Sequence, residues 1–177
     1  MNATEFLRML QQFETFEAIG STALRNQGTG LLGALRSLLG ELDLATVPRT
    51  RKGFQDWLDD LTRQALDALP RNITGRPWGA VRKGINLFLR GCVLNHYLRS
   101  AYGLETIESW LEVPLDSIVA GALKREAGRG ALPVWLGLKH LTPEANAEFQ
   151  TFAEQYARQR GFKSRAHLDI ELWLTNR

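Results

Sequence analysis

The chain is short of the residues that most metal and redox chemistry requires. It has one cysteine, Cys92, in 177 residues, which excludes an intrachain disulfide and any cluster or zinc site built on thiolates. Its three histidines, His96, His140 and His167, are too scattered to form a His-x-x-x-His pair, so no metal and no other cofactor is expected. No apolar run comes near the roughly 20 residues that cross a bilayer. The opening stretch, Met1 to Phe6, has neither the basic start nor the apolar core of a secretory signal. The expectation is a cytoplasmic, monomeric protein without membrane contact. Also missing are Gly-x-Ser-x-Gly, the phosphate-binding Gly-x-x-x-x-Gly-Lys-Ser/Thr and His-Glu-x-x-His. Gly28-Thr-Gly30 with Gly33 has no strand before it and does not make a dinucleotide fingerprint.

What is present reads as a folded chain. Hydrophobic residues make up 44% and charged residues 23%, a globular composition, and the length suits one well-buried domain over 1–177. The formal net charge of +3 is unevenly spread: −2 over residues 1–70, +5 over 71–139 and zero over 140–177. A basic middle third points to phosphate or nucleic acid, because such a patch gains by releasing condensed counterions.

The apolar periodicity is helical almost throughout, with no alternating strand pattern and no internal repeat. Phe6, Met9, Leu10, Phe13 and Phe16 form a stripe behind Asn2-Ala-Thr-Glu5, which has capping-box spacing. Leu31 to Leu39 mark a second helix stopped at Gly40. Thr50 starts a third that Pro70 ends, and residues 70–78 read as a loop. About 79–101 is apolar on most sides, which predicts one long, central, buried helix. A short helix is expected over Glu105 to Trp110, and another from Pro114, as its first residue, to about Ala127. Thr142-Pro-Glu opens a helix running to Arg160, and Ser164 caps a final one ending near Trp173. The fold class is therefore all-α, a compact domain of seven to nine helices.

Two segments carry chemistry. In Trp78-Gly-Ala-Val-Arg-Lys83-Gly-Ile-Asn86, a lysine falls in the first turn of a buried helix. Burial and the positive end of the helix dipole both disfavour an ammonium, which predicts an amine that gives up its proton more readily than a surface lysine. Such an amine can attack carbon and form a Schiff base; the plainer alternative is a side chain that reaches back to solvent. In Glu112-Val-Pro-Leu-Asp116-Ser, the carboxylate falls at the third position of a helix if Pro114 is the first. There it satisfies free N–H groups, and it can also face a cationic centre. Trp78, Trp135, Phe149 and Trp173 are candidates for stacking on a base, though each also reads as core.

Together, the helix-start Arg-Lys-x-x-Asn-x-x-Leu and the downstream Val-Pro-Leu-Asp-Ser resemble the helix-hairpin-helix DNA glycosylases. The separation of Lys83 and Asp116 is similar to that of the archaeal-type 8-oxoguanine branch, which has an enlarged connection between its catalytic residues, here residues 91–112. One hairpin glycine, Gly79, is present where the family has two, and Ile118 stands where a histidine usually follows the aspartate. The resemblance implies a base-excision glycosylase with lyase activity that acts on damaged double-stranded DNA and removes an oxidised purine. Lys83 would be the Schiff-base nucleophile and Asp116 would stabilise the cationic sugar or assist deprotonation. Asn26 and Gln27 would fill the gap left by the extruded nucleotide, and Arg71, Arg76, Arg82 and the Gly79 amide would hold the DNA backbone. That reading requires Lys83 and Asp116 to face one cleft lined by basic residues. The competing reading is a non-catalytic helical DNA-binding or protein-interaction module.

Overall fold

The computed structural model describes residues 2–20, 23, 24, 27, 30–71, 73 and 77–175. Among them the chain is all-α, with no strand, and several helix starts can be traced to a local cause. Helix α1 (Ala3–Ala18) opens with a complete capping box, in which the Asn2 carbonyl oxygen accepts from the Glu5 amide and the Glu5 carboxylate accepts from the Asn2 amide. Thr50 caps α3 (Arg51–Asp67), and Thr142 with Pro143 in the first turn opens α7 (Pro143–Gln159). Between α1 and α3 lies α2 (Leu31–Gly40), which buries Leu31, Leu35 and Leu39.

The sequence predicts one helix over 79–101, and the structure has two, α4 (Trp78–Leu94) and α5 (His96–Tyr102). Asn95 makes the break. Its amide closes α4 on Gly91 O, while its side chain accepts from the amides of Tyr97 and Leu98 and so starts α5. Two 3-10 turns, Leu104–Thr106 and Glu108–Trp110, replace the expected short helix. Pro114 does not begin a helix. It lies in an extended run over 111–116, and α6 (Ser117–Ala127) starts three residues later with Asp116 as its cap. An irregular stretch with a turn at Leu138–His140 leads to α7. A turn at Arg165–His167, capped by Ser164, leads to α8 (Leu168–Thr175).

Helix α4 is central, as predicted. It packs against α1, α2, α3, α5, α7 and the 138–140 turn. On one side Ile19, Leu35, Phe54, Phe88 and Leu89 form a core; on the other, Val119, Leu123, Phe149 and Leu168 form a second cluster between α6, α7 and α8.

The apolar stripe on α1 is only partly its buried face, with Leu10 packed against the core. Met9, Phe13 and Phe16 are 57%, 59% and 58% exposed, whereas Gln11 and Thr15 are buried. The polar face turns inward because Gln11 has work there. Its amide nitrogen donates to Leu39 O at 2.9 Å and to Leu42 O at 2.7 Å, just past the end of α2. Replacing Gln11 with Leu keeps the volume but removes both bonds. The expected result in urea unfolding is a loss of about 1–3 kcal/mol, seen as a lower midpoint at unchanged slope.

Candidate active site

The residues around Lys83 are arranged by two ion pairs that join α4 to the extended run 111–116. The first is buried. Arg82, 5% exposed, donates from Nε and Nη2 to the two oxygens of Glu112 at 2.8 and 2.7 Å. Its Nη1 donates to Leu58 O, Asp59 Oδ1 and Thr62 Oγ1, so every guanidinium nitrogen is engaged. Asn86, one turn further along α4, also donates to Glu112 at 2.9 Å. The run is clamped from the other side as well. Gln150 makes a paired amide contact with the N–H and carbonyl of Val113, and Arg165 donates to Leu111 O and Trp110 O.

The second pair follows from the first. With the run fixed at Glu112 and Val113, Asp116 meets Lys83: Lys83 Nζ lies 3.1 Å from Asp116 Oδ2 and 3.0 Å from Ala23 O. The lysine sits in the second turn of α4, one turn later than expected, and its side chain is 8% exposed, so it does not reach back to solvent. Asp116 is the helix cap itself, three positions earlier in its helix than expected. Its Oδ1 accepts from the Ile118 and Val119 amides, both at 2.9 Å, which leaves Oδ2 for the lysine.

Both groups line one cavity of about 720 Å³, within the size range of small-molecule sites. Lys83, Leu87 and Arg90 lie at i, i+4 and i+7 and so share a face of α4. Phe16 comes from α1, and Asp169 and Trp173 come from successive turns of α8. Arg90 donates to Asp169, and burial pulls its guanidinium below the ordinary range. Arg90 and Asp169 were missed in the sequence; the i+7 spacing to Lys83 was the available signal for the first. Among the described residues the cavity does not have the basic lining that the sequence reading calls for: they supply four carboxylates, Glu14, Glu17, Asp116 and Asp169, against two cations.

The remaining predicted residues are dispersed. Arg82 is not a surface contact for DNA, since the Glu112 network encloses it. Gly79 is also covered: a Cβ there would stand 2.5 Å from Leu138 O and 2.8 Å from Leu141 Cβ. Its lack of a side chain lets the 138–141 segment lie on α4, and the residue is buried. Arg71 is exposed after α3, and Gln27 is half-buried ahead of α2; neither lines the cavity. Asn26 and Arg76 lie outside the described residues. Of the four aromatic candidates, Trp173 lines the cavity, whereas Trp78, Trp135 and Phe149 pack in or against the second cluster, Trp135 edge-on to Phe149. Among the described residues no group of three or more His, Cys, Asp or Glu side chains is placed to hold a metal, and no helix is long and apolar enough to cross a membrane. Comparison with protein families, with curated proteins and with solved structures finds no match.

Glu112 carries a pH signature. Burial alone would push its carboxyl up, but the Arg82 hydrogen bonds and charge, with Arg165 and Asn86, outweigh burial and hold it below its ordinary value of 4.5. A carboxyl depressed in the folded state stabilises the fold above its unfolded value, and that stability is lost as pH falls through the folded one. Stability should therefore decline as pH drops below about 4.5. In Glu112→Gln that decline should be shallower, after a loss of about 3–5 kcal/mol at neutral pH from leaving Arg82 buried without its counter-charge. Urea midpoints across an acid pH series measure both effects.

Proposed function

We propose that the protein is a DNA base-excision glycosylase with lyase activity, in which Lys83 attacks the sugar of a damaged nucleotide. The observation that carries this reading is the Lys83 amine 3.1 Å from the Asp116 carboxylate on the wall of a single cavity. Asp116 takes the ammonium proton and leaves a neutral amine. The amine then forms a bond to C1′ as the C1′–base bond breaks, and the base departs with that electron pair. Loss of a proton from the attached nitrogen and opening of C1′–O4′, with O4′ protonated, give the iminium. Removal of a C2′ proton then expels the 3′ phosphate. By passing the proton taken from Lys83 to the departing base, Asp116 becomes a carboxylate again and faces the positive charge that develops on the sugar.

An oxidised purine such as 8-oxoguanine suits the walls. It is rich in N–H donors, and the cavity offers the carboxylates of Asp169 and Glu17 together with the Phe16 and Trp173 rings. A nucleotide must be extruded to reach this depth, at a cost of a few kcal/mol. The excess of carboxylates favours the second reading, a non-catalytic module, because it repels the phosphates that flank an extruded base.

Borohydride trapping on duplexes carrying 8-oxoguanine, uracil or an abasic site separates the two. The glycosylase reading expects a covalent adduct with the wild type and none with Lys83→Gln; absence of an adduct on every lesion refutes it. Asp116→Asn isolates the charge, since Asn caps a helix about as well as Asp. Its melting temperature should fall, because the buried Lys83 loses its counter-charge, so trapping is compared well below the variant's own transition, where its rate should fall about 10²-fold or more. An undiminished rate would remove Asp116 from the chemistry.

A further inference from the structure

We propose that the hollow between the start of α3, the 108–110 turn and the end of α7 binds a phosphate group. This site is separate from the Lys83 cavity and independent of the glycosylase reading. It has a volume of about 150 Å³, many times the roughly 10–15 Å³ that one water needs. Arg51, Arg158, Lys163 and Arg165 line it, with Ser109 and a single carboxylate, Glu154. That lining has a net charge of +3. Lys163 is paired outside it with Glu108, which Arg99 also pairs, and adding both of those residues leaves the balance unchanged.

Glu154 does not saturate the cluster. It accepts one N–H from each of three guanidiniums, at 2.5 Å from Arg51, 2.5 Å from Arg158 and 3.2 Å from Arg165. Arg51 and Arg158 are 47% and 71% exposed, and each guanidinium has five N–H donors in a fork that matches a phosphate. Arg165 forms the floor. It is buried, its donors hold Leu111, Gln150 and Trp110 carbonyls, and its position is therefore fixed. Burial pulls it below the ordinary guanidinium range, and the nearby Arg51 and Arg82 add to that against Glu112 and Glu154. An entering anion would relieve this crowding of like charge. Arg51 is also the first residue of the 17-residue helix α3, whose positive end adds to the attraction. The hollow and the cavity share no lining residue; they take residues from opposite ends of the segment 109–116.

The source of the phosphate is either a nucleic-acid backbone or a free phosphate or phosphomonoester. Titration with inorganic phosphate at constant ionic strength, followed by amide NMR, tests the site itself. Saturable shifts at Ser109, Trp110 and Lys163 are expected in the wild type. In the double variant Arg51→Gln/Arg158→Gln, which changes two exposed side chains and should keep its melting temperature, binding should be at least about tenfold weaker. Shifts that do not saturate, or that are equal in the variant, overturn the proposal. Adding an undamaged duplex then assigns the source. Displacement of bound phosphate by the duplex identifies the backbone, and retention of phosphate identifies the free anion. Neither arm requires Lys83 to be reactive, so an absent borohydride adduct leaves this test intact.

Discussion

The bidentate contact between Arg82 and Glu112 is the constraint on which the site rests. Two charges removed from water cost several kcal/mol each, and their attraction offsets this only where geometry is good and the other polar atoms are satisfied. Here both conditions hold, with Leu58, Asp59 and Thr62 completing the guanidinium and Asn86 adding to the carboxylate. Such a pair contributes less to stability than to register. Neighbouring residues on a helix point about 100° apart, so Arg82 and Lys83 face different directions. Their partners, four residues apart on an extended run, are separated by roughly 13 Å. The run must therefore cross α4 at one angle and one offset for both pairs to close, and Glu112 sets that offset for Asp116.

The same pairs change the meaning of the charge distribution. The basic middle third suggests a polyanion surface, yet four of its ten cations are paired within the fold. Arg82 is paired with Glu112 and Asp59, Lys83 with Asp116, Arg90 with Asp169 and Arg99 with Glu108. A local excess of positive charge is assembled instead from Arg51, Arg158, Lys163 and Arg165, all outside that third. Charge counted along a chain gives the sum over a window. The potential at a surface depends on which charges meet, and that is a property of the fold.

The features legible in the sequence are those whose causes are local. The Asn2–Glu5 box, the Thr50 cap and Thr142-Pro143 each depend on residues within three positions, and each was recognisable by spacing. The segments of Lys83 and Asp116 were also found, and the fold brings them to one cavity. What was illegible involves distant partners or a choice between local ones. Gln11 turns the expected face of α1 outward because its acceptors lie 28 and 31 residues away. Arg82 reads as a surface cation because Glu112 is 30 residues on. At Pro114 and Asp116 two start signals compete two residues apart, and the aspartate prevails because its side chain caps two amides while proline offers only a fixed φ. Asn95 is a cap hidden inside an apolar run that otherwise reads as one helix.

Asp116 shows how one side chain can cap a helix and hold an ion pair without conflict. Its two oxygens are divided: Oδ1 holds the first turn of α6, and Oδ2 faces Lys83. The two capping bonds fix the rotamer of the carboxylate, so Oδ2 is held toward Lys83. Had Pro114 begun the helix, the carboxylate would sit inside its first turn, with both its direction and its distance from α4 set by the helix. The extended run instead delivers it from outside, at a position governed by Glu112 and Gln150. The geometry of the lysine–carboxylate pair is thus determined by side chains that touch neither member, which separates the residues that fix the site from those that line it.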